Sequence, residues 1–241
     1  MAEAAKPADA EILSVSDLQA WYGESHILHG INFNVKAGEV VTLLGRNGAG
    51  KTTTLKSVMG IIGKRTGSIR FNGQDITRTS SDRIARMGVA FCPEERGIFA
   101  SLDVRENLLL TPIVRPGGLS LDQIFELFPN LKERLNSQGT KLSGGEQQML
   151  AIARILRTGA RFLMLDEPTE GLAPVIIQQI GHTIARLKSE GFTILLVEQN
   201  FRFASTVADR YYIVEHGKVI DGFANSELSA NMDKLHTYLG V

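Results

Sequence analysis

A single cysteine, Cys92, stands among the 241 residues. An internal disulfide is thereby excluded, as is a thiolate zinc site, and a reducing compartment is the simplest setting. No stretch reaches the roughly 18 consecutive apolar residues that a membrane-spanning helix needs. The expectation is a soluble chain whose dealings with a membrane run through a partner. An excess of one charge is missing too, because 26 Lys and Arg balance 26 Asp and Glu. A dedicated nucleic-acid binder usually carries a basic excess, so no nucleic-acid partner is expected. His26, His29, His182, His216 and His236 lack metal-ligand spacing. Met1–Ala10, MAEAAKPADA, has neither an apolar run nor a cleavage pattern and reads as a flexible tail rather than a signal peptide.

What is present is the composition of a globular chain, 43% apolar and 22% charged. Its length suits one large domain, about 150 residues being usual, and residues 11–241 are taken as that domain. Leu13 and Val15, then Ile31, Phe33 and Val35, alternate with polar residues, the period of a half-buried strand. Val40–Leu44, Phe162–Leu165 and Ile194–Val197 are continuous apolar runs, as in strands covered on both faces. Leu55, Val58, Met59 and Ile62 repeat at helical spacing, and so do Met149, Ile152, Ala153 and Leu156. Strands alternating with helices predict right-handed βαβ units and a parallel sheet. From about Glu94 to Arg157 strand signals stop and helical periodicity takes over, a helical insert with a loop at Arg115–Gly118. Tyr211–Val214 and Lys218–Ile220 flank Glu215-His216-Gly217, a hairpin signal.

Gly45-Arg46-Asn47-Gly48-Ala49-Gly50-Lys51-Thr52 matches G-x-x-x-x-G-K-S/T at every fixed position, and Thr53 follows it. The loop lies after a buried strand and before a helix, where backbone N–H groups and the helix dipole can wrap a phosphate. In that mechanism Lys51 reaches the terminal phosphates of ATP and the Thr52 hydroxyl is a Mg²⁺ ligand. A second buried strand ends in Asp166 and Glu167. Neighbouring strands would bring Asp166 to the phosphate loop as a further Mg²⁺ ligand, and Glu167 could orient an attacking water. Taken alone, the pair is equally an acidic strand-to-loop turn.

Leu142-Ser143-Gly144-Gly145-Glu146-Gln147 decides among phosphate-loop proteins. Ser143 and Glu146 form a capping box, and a well-capped helix is the plain reading. Gly144 and Gly145 add exposed N–H groups and room for an anion. With this turn, from about Leu13 to Gly222, the sequence resembles the ATP-binding cassette (ABC) ATPases. The resemblance implies an α/β fold: a P-loop ATPase core with a mostly parallel sheet, an N-terminal antiparallel β subdomain, and a helical subdomain at about 94–157. It also implies that two such chains meet head to tail, each ATP lying between one phosphate loop and the other chain's Ser143–Glu146 turn. Binding would close the pair and hydrolysis would open it.

Other positions follow from the resemblance one by one. Tyr22 matches the aromatic that stacks on adenine, with strand packing as the alternative and Trp21 as a rival. Ala173 stands where many relatives carry Asp, and Pro174 suits the first position of the next helix. Glu94 replaces the Gln that senses Mg²⁺; a carboxylate is still a hard-metal ligand, although it repels the γ-phosphate. Gln199 replaces the His that contacts the γ-phosphate, and its amide can donate a hydrogen bond without carrying a titrating proton. Cys92 reads as a small packing residue, and Lys64-Arg65, Arg83 and Arg86 as solvated faces. Ile98, Phe99 and Leu102 are either core or the apolar surface that receives a membrane subunit.

Pro93–Phe99 and Leu195–Asn200 resemble one branch of the family, the smaller ATPase subunit of a branched-chain amino-acid importer. Such a subunit is a peripheral ATPase on the cytoplasmic face of the inner membrane. Its implied partners are a second, different ATPase chain (with a homodimer as the alternative), two multispanning permeases and, indirectly, a periplasmic solute-binding protein. Urea importers and lipid or polysaccharide exporters share the ATP motifs and are the alternatives. Soluble ABC proteins of repair or translation need tandem cassettes or a coiled-coil insertion, and neither is present.

Overall fold

The computed structural model describes residues 10–240, so the tail reading of Met1–Ala10 lies outside the described residues except for Ala10. The chain opens with β1 (Glu11–Tyr22), β2 (Ser25–Lys36) and β3 (Val40–Leu44). It continues through α1 (Lys51–Val58), β4 (Lys64–Phe71), β5 (Gln74–Asp75), α2 (Ser81–Arg86) and β6 (Val89–Cys92). Four helices follow: α3 (Val104–Leu110), α4 (Leu121–Leu127), α5 (Pro129–Glu133) and α6 (Gly144–Leu156). The chain then alternates through β7 (Phe162–Asp166), α7 (Pro174–Ser189), β8 (Thr193–Glu198) and α8 (Phe201–Val207). β9 (Arg210–Glu215), β10 (Lys218–Ala224) and α9 (Met232–Leu239) complete the described residues.

Two sheets organise these elements. The first, with order β2-β1-β4-β5, is antiparallel throughout. The second has order β10-β9-β3-β8-β7-β6 and is parallel except for the β9–β10 hairpin. The hydrophobic patterns account for this division. On β1, Leu13, Val15, Leu18 and Ala20 are buried and alternate with more exposed neighbours, as one covered face requires. β3, β7 and β8 are buried at every position, as strands with both faces covered. His216 and Gly217, both at positive φ, form the two-residue loop between Glu215 and Lys218, as a tight hairpin requires.

One core packs β1, β2 and α1 against the parallel sheet. Another joins the opposite face of that sheet to α3–α7. α6 forms where expected: its capping box is closed by Ser143 and Glu146, and Met149, Ile152, Ala153 and Leu156 are buried on one stripe. Among the described residues no helix is long and apolar enough to cross a membrane.

Several expectations need correction. β3 and β7 are not neighbours, because β8 lies between them. α1 ends at Val58, and Gly60 at φ 75° follows, so the buried Ile62 packs from the connection beyond the helix. β4 and β6 gave no sequence signal. Lys64-Arg65 is not simply a solvated face: Lys64 and Arg65 begin β4, and Arg65 donates to the carbonyls of Ile62 and Thr79.

Candidate nucleotide-binding site

The loop from Gly45 to Gly50 leaves β3 and enters α1 with Gly50 at the N-cap. Gly50 has φ 106°, and a Cβ there would lie 2.9 Å from Leu28 Cδ2, so both backbone and space require glycine. Lys51 is buried at the start of α1, and its ammonium donates to Gly45 O at 2.9 Å and Arg46 O at 3.1 Å. It also pairs with Glu167 Oε1 at 3.0 Å. Asn47, Gly48, Ala49, Gly50, Lys51, Thr52 and Thr53 line a cleft of about 400 Å³, together with Tyr22, Ile27, Glu94, Glu167 and Glu170. A mostly polar loop and one aromatic ring therefore share one cavity.

The carboxylates come from the end of β7. Thr52 Oγ1 donates to Asp166 Oδ1 at 3.0 Å, while Asp166 Oδ2 is buried with no hydrogen-bond partner. Burial raises the Asp166 carboxyl to about 6; the negative Glu167 and Glu94 add to that and the Thr52 bond opposes it. A hydroxyl beside a buried carboxylate with an unpartnered oxygen is a donor set that fits Mg²⁺. Glu167 has φ 44°, a costly conformation for a residue with a Cβ, and its N–H donates to Val197 O at 3.0 Å.

Glu170 was missed in the sequence, and only its position three residues after Glu167 could have suggested it. It lines the same cleft, and burial, then the charges of Glu167 and Glu94, raise its carboxyl. Glu198 was also passed over. This carboxylate is 2% exposed. Its Oε1 accepts from Thr169 Oγ1 at 2.8 Å and Thr169 N at 3.3 Å, and its Oε2 accepts from Asn200 N at 3.3 Å. Burial pushes it up to about 7 against these hydrogen bonds.

The remaining expected residues divide. Tyr22 is 48% exposed at the cleft, whereas its rival Trp21 is stacked on His26 at 4.3 Å. Gln199 is exposed at the end of β8 and is not among the residues lining the cleft. Gly45 and Arg46 bear on the cleft through the carbonyls that hold Lys51. Ser143, Gly144, Gly145 and Glu146 also lie outside the cleft lining.

That last turn differs in detail from the expectation. The Glu146 carboxylate accepts from Ser143 N at 2.7 Å and Arg134 Nε at 3.1 Å, so it serves the cap. The missing side chain of Gly145 is matched by Ile176, whose Cγ1 would lie 2.9 Å from a Cβ, so its space is taken up by α7 rather than left for an anion. Gly144 is the more open of the two, with the Arg96 guanidinium 3.4 Å from its Cβ position.

Comparison with known proteins agrees with this geometry. A family model described as ABC transporter matches residues 28–170. A high-affinity branched-chain amino acid transport ATP-binding protein, BraG of Pseudomonas aeruginosa, is 42% identical, over 95% of this chain and 100% of its own. A probable branched-chain amino acid transport ATP-binding protein, LivF of Archaeoglobus fulgidus, is 36% identical over 90% of this chain and 94% of its own. Among solved structures, a nucleotide-free ATP-binding cassette from an ABC transporter superposes with a TM-score of 0.82 at 24% identity, covering 96% of this chain and 99% of that one.

Proposed function

The chain belongs to the ABC transporter family of ATPases, and on that premise we propose that it drives the import of branched-chain amino acids. One observation carries the catalytic part of this reading: Lys51 and Thr52, which begin α1 and line the cleft, contact Glu167 and Asp166 at the end of β7. Tyr22 offers its ring to the adenine, and the N–H groups of the loop and of α1 receive the phosphates. The Lys51 ammonium neutralises the terminal phosphate oxygens, which compete with Glu167 for it. A bound Mg²⁺ would supply positive charge to offset the charge that develops on the phosphate oxygens during hydrolysis. Thr52 and Asp166 would hold it, with Glu94 on the same cleft. Glu167 then orients the attacking water and accepts its proton. Gln199 supplies an amide donor to the γ-phosphate.

The Ser143–Glu146 turn lies outside the cleft, which supports completion of the site by a second chain. That second chain is a related but different ATPase, because Glu94 and Gln199 fit a division of labour between unequal sites. Residues 94–157 act as the helical subdomain of a single domain spanning 11–241. Phe99, Leu109, Leu110 and Ile113 are exposed there, while Ile98 packs on the core. Their apolar surface supports docking to two multispanning permeases, with the chain acting peripherally on the cytoplasmic face of the inner membrane. A periplasmic solute-binding protein delivers the cargo to those permeases.

The test is to recover the tagged full chain from its own membranes in mild detergent, identify what accompanies it, and assay ATP hydrolysis. The expected result is two permeases, a second cassette ATPase and an activity that Glu167→Gln in this chain lowers by at least about tenfold. Recovery with an export permease would overturn the cargo. Recovery with cytosolic proteins and no permease would overturn transport altogether.

A further inference from the structure

Glu198 lies in the Leu195–Asn200 stretch without a role of its own so far, yet it is a carboxylate placed almost wholly out of water at the last position of β8. The donors to its two oxygens are neutral: the hydroxyl and N–H of Thr169 on one, the N–H of Asn200 on the other. A buried carboxylate served by neutral donors is costly, and an apolar residue would suit the strand better. Its partners show what it connects. Thr169 stands two residues beyond Glu167, in the turn that leaves β7. Asn200 follows Gln199 and caps α8, its side chain accepting from Phe203 N at 3.1 Å. The neighbouring Val197 carbonyl anchors Glu167 N at 3.0 Å, so the end of β8 grips the Glu167 turn at two successive residues. That turn contains a residue in the left-handed region, which persists only where its surroundings fix it.

We propose that Glu198 is a positioning residue for hydrolysis, locking the turn that carries Glu167 to the turn that carries Gln199 so that both meet the γ-phosphate in register. This inference rests on the ATPase reading above. Its lock acts on water attack and leaves the phosphate loop and Tyr22 alone, so it governs turnover rather than nucleotide affinity. Misplacement of a reacting group by about 1 Å costs about a hundredfold in rate, which sets the scale of the effect.

Steady-state ATP hydrolysis of the complex recovered with the full chain tests this, with kcat and KM measured separately. Glu198→Ala is expected to lower kcat by about tenfold to a hundredfold while KM for ATP stays within about twofold. Glu198→Gln keeps an oxygen for Thr169 and turns an amide toward Asn200 N–H, so its loss is smaller. Thr169→Val keeps the shape, removes the hydroxyl donor and lowers kcat in the same selective way. Because both act through one link, Thr169→Val combined with Glu198→Gln costs less than the product of the single effects. Should Glu198→Ala not fold, the two conservative variants decide. Unchanged kcat in the folded variants overturns the inference, and so does a rise in KM that matches the fall in kcat. A parent complex that does not hydrolyse ATP overturns the ATPase reading instead.

Discussion

Lys51 is held from three sides, by the carbonyls of Gly45 and Arg46 and by the Glu167 carboxylate. Both members of that ion pair are buried, at 3% and 9% exposure. Removing one partner of a buried pair leaves an uncompensated charge and costs about 3–5 kcal/mol, whereas removing both is far milder. Lys51→Met is therefore expected to lose stability as well as nucleotide. Lys51→Met combined with Glu167→Gln should recover most of the stability and none of the nucleotide binding. Urea unfolding beside binding of a fluorescent ATP analogue reads both; a double variant as unstable as Lys51→Met would refute the pair's role. At this scale the contiguous motifs were legible, since Lys51 with Thr52 and Asp166 with Glu167 carry their chemistry in adjacent letters. Glu198 was not legible, because its partner Thr169 is 29 residues away and only the β7–β8 pairing brings the two together.

Between β6 and α3 the chain forms no regular element until Val104, yet it carries Glu94 and the exposed Phe99. One buried side chain of α3 organises its far end. Asn107 is 0% exposed and accepts from Phe99 N at 2.8 Å. Its amide donates to Phe99 O at 3.0 Å, Leu102 O at 3.2 Å and Asp103 O at 2.9 Å. An apolar residue of similar size orphans the Phe99 N–H, at about 1–3 kcal/mol if it stays buried and unpaired, while the three carbonyls keep backbone donors in Leu102 N, Gly139 N and Asn107 N. Asn107→Leu is expected to destabilise the chain by about 1–3 kcal/mol. Hydrogen exchange localises the effect: protection is lost at the Phe99 amide and kept in β3 and β8. If Phe99 stays protected, the loop has another anchor. Sequence alone gives Asn107 no role, since a helical Asn says nothing of the loop it ties. β4 was hidden because its first five residues, 64–68, carry no apolar side chain, and Ile69 and Phe71 alone are too few to show a period. β6 is four residues long, too short for a period to show.

For the whole molecule, a balance of 26 cationic and 26 acidic residues removes net charge as a lever on stability near neutrality, so individual buried carboxylates set the pH dependence. Burial raises Glu198 from 4.5 to about 7 and Asp166 from 3.8 to about 6. The folded chain thus holds protons that the unfolded chain has already released across that interval. Unfolding there releases protons, so stability falls as pH rises through the window and the full cost stands above the folded values. Glu146, lowered in the folded chain through its bonds to Ser143 and Arg134 despite burial, has the opposite sign and loses its contribution in acid. Stability should therefore peak at mildly acidic pH and decline toward about pH 8. One pKa unit is worth about 1.4 kcal/mol, so the Glu198 share is on the order of 3 kcal/mol. Glu198→Gln cannot ionise, and its thermal-unfolding midpoint should stay flatter than the parent's between about pH 5 and 8. Parallel curves for the two proteins would show that Glu198 is not the group responsible. A flatter, higher midpoint at alkaline pH, together with the reduced kcat argued above, would mean that the chain retains a destabilising buried charge because turnover requires it.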